Sequence, residues 1–510
     1  MCIPYLCASG VLCLGVTLPL STVANLALHR LLRLVIFTIL FYEHRSMIDR
    51  RAFYEQRSAF RERESGRYYQ RLLRKQYGFY VPPGLRVLEI GCGLGDLLAA
   101  VKPAAGFGLD FSPAMIALAK RRHPQLEFQV ADALDFTSSD KFDYILLSDL
   151  VNDLPDVQAV LERLHSVAHP RTRLVLNFFS NLWRPILAAA EKTGLKGPTL
   201  LQNWLSTDDV QNLLHLGGWE VIKTDPRILW PARTPLVDWI CNHWLAPILP
   251  HFCLTVTLVA RPKPKTASFP HYRCSVVIPA RNESGNIEDA VKRTPEMGLG
   301  TELIFIEGHS KDDTWGEIQR VAAKYPQRAI KALKQQSKGK GGAVREAFAA
   351  ASGDLLFILD ADLTMPPEEL PKFYEAARSG TAEFVNGVRL VYPMEAEAMQ
   401  FLNMVANKLF GVTFSWLLGQ KLKDTLCGTK VLFREDYEAI AKNRAYFGEF
   451  DPFGDFDLIF GAAKLNLRMV DLPIRYRART YGETNIHRWR HGWLLLRMVI
   501  FAARRLKFVS

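Results

Sequence analysis

The sequence predicts two doubly wound α/β units, one after the other, joined by a proline-rich linker. Three observations predict this. At 510 residues the chain is too long for a single hydrophobic core. Short apolar runs alternate with helix-like segments over residues 86–258, and the same alternation restarts at residue 274. Between them lies RPKPKTASFPHYR, 261–273, with three prolines and no hydrophobic period, which reads as a linker.

In the first unit the runs RVLEI, GFGLDF, EFQVAD, FDYILLSD and RLVLNFF predict strands, with ALAKRRH and VQAVLERLHSVA as intervening helices. In the second, CSVVIPA, ELIFIEG, AIKALKQ, DLLFILDAD and AEFVNGV predict strands, each followed by a helix-like segment. Both series carry the βαβ pattern of a parallel sheet covered on both faces.

Bulk properties narrow the class. With 49% hydrophobic and 23% charged residues, the composition argues against disorder and against a multi-span membrane protein. The formal net charge of +12 concentrates in Arg-rich stretches, 44–75 and the last 40 residues. This points to an anionic membrane surface or another polyanion, with a solvated basic face as the plainer alternative. Eight cysteines form no CxxC pair or zinc-like spacing, so they read as reduced thiols of a cytosolic protein. The first 28 residues carry no acidic or basic side chain and would span about 42 Å as a helix. They are consistent with a membrane helix, a packed helix, or a mis-called start upstream of Met47. Near the other end, WRHGWLLLRMVIFAARRLKF, 489–508, is too charged to cross a bilayer. It suits an interfacial helix or a terminal helix docked on the protein.

In VLEIGCGLGDLL, Gly91, Gly93 and Gly95 follow a strand and open a helix, allowing a tight turn and close backbone approach to a ligand. Asp110 ends the next strand, where a carboxylate meets adenosyl ribose hydroxyls in dinucleotide-type sites. Asp132 and Asp149 end the third and fourth strands. Over about 50–262 these residues resemble the class I S-adenosylmethionine-dependent methyltransferases. Glu89 to Gly95 matches that family's glycine loop, Asp110 its ribose acid, and Asp132 with Ala133 its adenine edge. The resemblance implies S-adenosyl-L-methionine as cofactor, with Asp149 near its methyl end. It does not identify the methyl acceptor.

In the second unit, SVVIPARNESGNI ends a strand in Pro279 and Ala280 and continues through Asn282 and Glu283, a loop suited to a nucleoside. LIFIEGHSKDDT places Glu307 after a strand and Asp312 and Asp313 in the turn that follows. KGKGGAVREAF supplies Lys338 and Lys340 as a flexible cationic loop for a diphosphate. FILDADLT then delivers Asp360 and Asp362, which in extended backbone would face the same way and address one divalent cation.

These blocks, with VNGVRL, DTLCGTKVLFR and PIRYRARTYGETNI, resemble family 2 glycosyltransferases of the GT-A fold, in the branch of dolichol- and polyprenyl-phosphate sugar transferases. The resemblance covers about 273–487. It implies that Asp360 and Asp362 hold Mg²⁺ or Mn²⁺ on a nucleotide sugar, and that transfer inverts the anomeric carbon. One departure stands out, because relatives usually carry two aspartates where this chain has Glu307 and Gly308.

A polyprenyl phosphate is already anionic and needs cations to place it, whereas a glycan or lipid hydroxyl needs a base. Arg389, Arg434, Arg475, Arg477 and Arg479 favour the phosphate; Asp455 and Asp457 are candidate bases for the alternative. The expected domains are an apolar segment 1–49, a methyltransferase unit 50–262, a linker 263–272, a glycosyltransferase unit 273–487 and a basic amphipathic segment 488–510. The expected whole is a bifunctional transferase at the cytoplasmic face of a membrane, with no nucleic-acid partner. One half acting only as a binding or scaffold module is the remaining alternative.

Overall fold

The computed structural model describes residues 50–56, 68–264, 269–392, 401–444, 456–479, 481 and 488–508. The apolar segment 1–49, linker residues 265–268, Asp455 and residues 509–510 lie outside the described residues.

The first sheet comprises β1 (Arg86–Ile90), β2 (Ala105–Asp110), β3 (Glu127–Val130), β4 (Phe142–Leu147), β5 (Ala168–Phe179), β6 (Trp219–Pro226) and β7 (Thr255–Pro262). Their order is β3-β2-β1-β4-β5-β7-β6. Alternate residues of the central strands enter separate cores: Leu88, Ile90, Ile145 and Leu147 on one face, Val87, Tyr144 and Leu146 on the other. That period of two, apolar on both faces, is what a sheet sandwiched between helix layers requires. Helix starts are written locally. Ser112 accepts from the backbone N–H of Met115, ahead of Pro113–Arg122, and Asp156 accepts from Ala159, ahead of Val157–Arg163.

The second sheet comprises β8 (Cys274–Ala280), β9 (Thr301–Glu307), β10 (Ala329–Lys334), β11 (Leu355–Ile358), β12 (Phe384–Val388), β13 (Lys430–Phe433) and β14 (Met469–Pro473). Their order is β10-β9-β8-β11-β13-β12-β14. Val276, Ile278, Leu355 and Phe357 pack on one face, and Val277, Leu356 and Ile358 on the other.

Both sheets are mixed rather than wholly parallel. β7 runs antiparallel to β5 and β6, and β13 runs antiparallel to β11 and β12. A returning strand inserted between two others turns its direction without a crossover helix, and no period in the sequence announces that.

The two sheets meet through buried ions. Arg173, 3% exposed at the start of the apolar stretch of β5, donates to both oxygens of Glu383 at 2.8 and 2.7 Å and to the carbonyl of Asn466 at 2.9 Å. Arg261 of β7 lies 3.7 Å from Glu383 and donates to Glu220 and to the carbonyl of Gly380. Arg468 donates to Glu220 from the other side at 2.9 Å. Arg171 pairs with Glu435 and Asp436. Burial alone would raise the Glu383 carboxyl, but Arg173 and Arg261 outweigh it and hold the group below its usual range.

Arg173→Ala leaves that carboxylate buried with half its compensation, which costs about 3–5 kcal/mol. Because Glu383 is depressed in the folded state, its contribution is complete above its unfolded value and lost as pH falls through the folded one. Urea denaturation of wild type and variant should therefore differ most above roughly pH 5 and converge below it. A pH-independent gap would contradict an ionic clasp.

Candidate active sites

In the first half a cavity of 620 Å³ opens at the carboxyl ends of β1, β2 and β4. Glu89, Gly91, Gly93, Asp110, Asp132, Ala133 and Asp149 all line it, so seven of the eight residues singled out from the sequence come together. The eighth, Gly95, lies one residue past the lining residue Leu94, at the N-cap of helix Asp96–Ala100. All three glycines have positive φ, 70°, 51° and 73°. A side chain on Gly93 would enter open space, whereas one on Gly91 would meet Leu150 at 2.9 Å. The loop thus presents bare backbone to the cavity.

The carboxylates are tied to that loop. Asp110 accepts from the N–H of Gly93 and of Ser112, both at 2.9 Å. Glu89 accepts from Leu98 at 3.0 Å, and burial drives its carboxyl well above the usual range. Asp149, with φ of 52°, accepts from Tyr69 at 2.8 Å and from Asn177 at 2.5 Å. Reading the sequence missed the helical segments before the first strand. Arg50, Arg51 and Tyr54 of helix Arg50–Gln56 line the cavity, and Tyr54 donates to Asp153 at 2.6 Å. Their only signal was an Arg- and Tyr-rich stretch, which composition reads as a basic face. The glycine cradle, the strand-end carboxylates and the cavity volume fit a nucleoside-bearing cofactor.

In the second half the singled-out residues gather at the carboxyl ends of β8, β9 and β11. Pro279 and Ala280 end β8, and Asn282 follows with φ of 57°. Asn282 accepts from Lys311 at 2.7 Å and donates its own N–H to Ser310 at 3.0 Å. Glu307 ends β9 and accepts from Ser310. Asp312 accepts from Ser284 and Thr314, bonds that outweigh its burial and lower its carboxyl. These contacts lace the β8 and β9 loops into one platform.

Asp360 and Asp362 leave β11 in a turn, not in extended backbone, with Leu363 at φ of 50°. The turn hands the two carboxylates to different cations: Lys340 at 2.5 Å for Asp360 and Arg479 at 2.6 Å for Asp362. Arg479 also lies 3.7 Å from Glu283. Burial first, and then Asp362 and Asp360, push the Glu283 carboxyl up to about 7. The expected flexible loop is instead the start of helix Gly339–Ala350, with Lys338 exposed at its N-cap and Lys340 in its first turn. Gly339 takes a φ of 81°, and a Cβ on Gly342 would collide with the Ser337 side chain, so the turn packs against Ser337 only because Gly342 is bare.

Two arginines depart from expectation. Arg434 donates to the carbonyl of Gly353, ahead of β11, roughly 20 Å along the strand direction from Asp360. It belongs to the opposite edge. Arg389 forks onto Asp424 at 2.7 and 2.8 Å through Nε and one terminal nitrogen, and its charge adds to that of Lys340 in holding Asp360 low against burial. Arg475 and Arg477 are exposed, the latter donating its backbone N–H to Thr364. Asp457 opens helix Phe456–Lys464, with Arg444 at 3.3 Å and Arg345 at 3.6 Å.

Three further residues went unassigned in the sequence. Asp424 holds Arg389, and fully buried Lys430 donates to the carbonyl of Cys427. Gly428 backs Asp360 and Lys340 so closely that a Cβ would collide with Asp360 and stand 2.6 Å from Lys340 Nζ. At Gly308, where an acid was expected, a Cβ would stand 3.0 Å from Gln335 Oε1, so an amide fills that neighbourhood.

Hard carboxylate oxygens suit Mg²⁺ or Mn²⁺. Among the described residues no group of three or more His, Cys, Asp or Glu forms a cage, so the pair would share a cation with substrate and water oxygens.

Comparison with known proteins finds a different family for each half of the chain. Residues 82–218 match the family model described as a methyltransferase domain, and residues 275–445 match that of glycosyl transferase family 2. The chain thus carries a methyltransferase domain followed by a family 2 glycosyltransferase domain. Among curated relatives, the dolichol-phosphate mannosyltransferase of Pyrococcus furiosus is 30% identical over 221 residues, covering 42% of this chain and 59% of the relative. The undecaprenyl-phosphate 4-deoxy-4-formamido-L-arabinose transferase of Klebsiella pneumoniae is 32% identical over 219 residues, covering 42% and 63%. The chain spans less than two thirds of the length of these relatives. A methyltransferase structure from Mesorhizobium loti aligns at 17% identity, covering 39% of this chain and 99% of its own, with a TM-score of 0.31.

Gly428→Ala should displace Asp360 and Lys340 by about an ångström, and a misplacement of that size lowers turnover by about 10²-fold. Steady-state sugar transfer by the folded variant checks this. Turnover within about threefold of wild type would dissociate the Asp360–Lys340 pair from catalysis.

Proposed function

We propose that the chain is a bifunctional enzyme, combining S-adenosylmethionine-dependent methyl transfer with inverting, metal-dependent transfer of a sugar from a nucleotide sugar to a polyprenyl phosphate. The observation that carries the reading is the pairing of Asp360 with Lys340 and of Asp362 with Arg479, where β8, β9 and β11 end together. Two carboxylates and two cations there match what a metal diphosphate and an anionic acceptor require.

On this reading Asn282, Glu283, Glu307 and Asp312 seat the nucleoside, with Pro279 and Ala280 fixing the start of the loop. Lys338 and Lys340, at a helix N-terminus, take the diphosphate. A divalent cation held by Asp360 and Asp362 would supply charge neutralisation as the nucleoside diphosphate leaves. Arg479, with Arg475 and Arg477 near it in sequence, receives the acceptor phosphate, and Arg389 acts through Asp424 to position the β12 end. The attacking phosphate oxygen is already ionised, so no base is needed. The names of the relatives, both polyprenyl-phosphate sugar transferases, support this acceptor class. Transfer to a glycan or lipid hydroxyl is the competing reading, with Asp457 as base.

In the first half Asp110 takes the ribose hydroxyls, Asp132 and Ala133 the adenine edge, and the glycine loop with Glu89 the remainder of the cofactor. The cofactor supplies an electrophilic methyl group. On this reading the methyl end emerges beside Asp149, which Tyr69 and Asn177 hold in place. Among the described residues no helix is long and apolar enough to cross a membrane. Helix Arg488–Leu506 buries Leu495, Met498 and Ala502 and exposes Trp493, Leu496 and Ile500. We read its exposed stripe as resting at the lipid interface.

Titration calorimetry tests both halves. S-adenosylmethionine should bind saturably, and Asp110→Ala should weaken it by about tenfold or more. Nucleotide sugars should bind in a Mn²⁺-dependent manner that Asp362→Asn removes. Absence of saturable heat for either ligand would condemn the catalytic reading of that half. Asp457→Asn should leave transfer to a phosphate within about tenfold and would abolish transfer to a hydroxyl.

A further inference from the structure

One exposed apolar surface belongs to both halves. Val405, Leu409, Val412 and Trp416 recur at helical spacing on the exposed side of helix Phe401–Leu418, which packs against helix Arg488–Leu506. The first half continues this surface over residues 236–252, where Trp239, Ile240, Trp244, Ile248 and Phe252 are 43–59% exposed. The segments are contiguous. The Phe508 ring lies 5.3 Å from Trp244 and 6.2 Å from Trp416, and Trp416 donates to the carbonyl of Pro247 at 3.1 Å. Two tryptophans within six residues at an exposed apolar site exceed what a solvated face tolerates.

Charge narrows the occupant. Residues 401–423 and 488–508 contain no Asp or Glu, and Lys408, Lys421, Lys423, Arg504 and Arg505 stand exposed there. Residues 236–252 themselves carry one acid, the half-buried Asp238 near Tyr68, and no Lys or Arg, so the cations come from the two adjoining segments. Aromatic and aliphatic side chains beside those cations complement an anionic bilayer surface, with tryptophan at headgroup level. A second copy of this chain would bring the same cations face to face.

The apolar segment of the first half also adjoins its cavity. Asn242 donates to the Tyr68 hydroxyl at 3.3 Å, and the next residue, Tyr69, donates to Asp149 on the cavity wall. From the other side, Trp183 donates to the carbonyl of Phe252 at 2.8 Å, just past the end of β5.

We propose that residues 236–252 are a second membrane-docking element, which seats the methyltransferase half itself on an anionic lipid surface with its cavity mouth beside the bilayer. The element deepens the membrane reading of helix Arg488–Leu506 and rests on it. It is nevertheless a separate contact made by a separate domain.

Flotation of the full chain with vesicles of phosphatidylcholine and phosphatidylglycerol tests it. Trp239→Glu combined with Ile248→Glu should lower partition by about tenfold or more, while S-adenosylmethionine affinity, read by calorimetry, stays at the wild-type value. Wild-type partition should fall on phosphatidylcholine alone. A parallel variant, Trp493→Glu with Ile500→Glu, reports on the carboxy-terminal helix. If that variant loses binding while the 239/248 variant keeps it, the proposal falls and the helix reading stands. If neither variant changes binding, both fall. A 239/248 variant that alters only self-association in ultracentrifugation would assign the surface to a second copy and overturn the proposal.

Discussion

Everything two-domain about this molecule depends on one buried carboxylate. Glu383 enters β12 with Arg173 and Arg261 of the first sheet reaching it across the boundary. An ion removed from water must be compensated where it lies, so the cluster permits one relative placement of the sheets and penalises slippage. Hydrophobic contact alone would be less particular. The surroundings repeat the device: Glu220 between Arg261 and Arg468, and Asp225 between Arg227 and Lys507, which ties the end of the last helix to the first domain. The continuous apolar surface, in which Phe508 lies beside Trp244 and Trp416, crosses the boundary that these charges help to fix.

Both candidate sites follow the same architectural rule, since ligands of open α/β sheets bind beyond the carboxyl ends of the strands. What differs is how each site manages its acids. In the first, Asp110 and Asp149 are quenched by backbone and side-chain donors, and bare glycine backbone faces the cavity. In the second, acids meet cations: Asp360 with Lys340, Asp362 with Arg479, and Asp424 with Arg389. The first arrangement suits hydrogen bonding to hydroxyls, and the second suits exchange of internal ion pairs for those with a metal and phosphates.

Much of this was legible in the sequence because it is local. Runs such as RVLEI and CSVVIPA announce two-sided burial over five to seven residues, and strand-end acids follow directly from them. Less legible were features set by distant partners. β6, β7, β13 and β14 were not anticipated, for their surroundings decide them more than their own pattern does. Arg389 looked like a phosphate ligand because Asp424, its partner, is 35 residues away. Arg434 sat in a motif block, yet the antiparallel return of β13 carries it to the wrong end of the sheet. Arg173 and Glu383 are separated by 210 residues, and neither advertises an interface.

Under the proposed function the second half places a sugar on a polyprenyl phosphate. Purified protein, incubated with Mn²⁺, a short polyprenyl phosphate and each of a panel of radiolabelled nucleotide sugars, measures this directly through label extracted into organic solvent. The expected result is a lipid-soluble, acid-labile product from one donor, absent when the polyprenyl phosphate is replaced by the corresponding alcohol. Label in the lipid phase with the alcohol and not with the phosphate would contradict it.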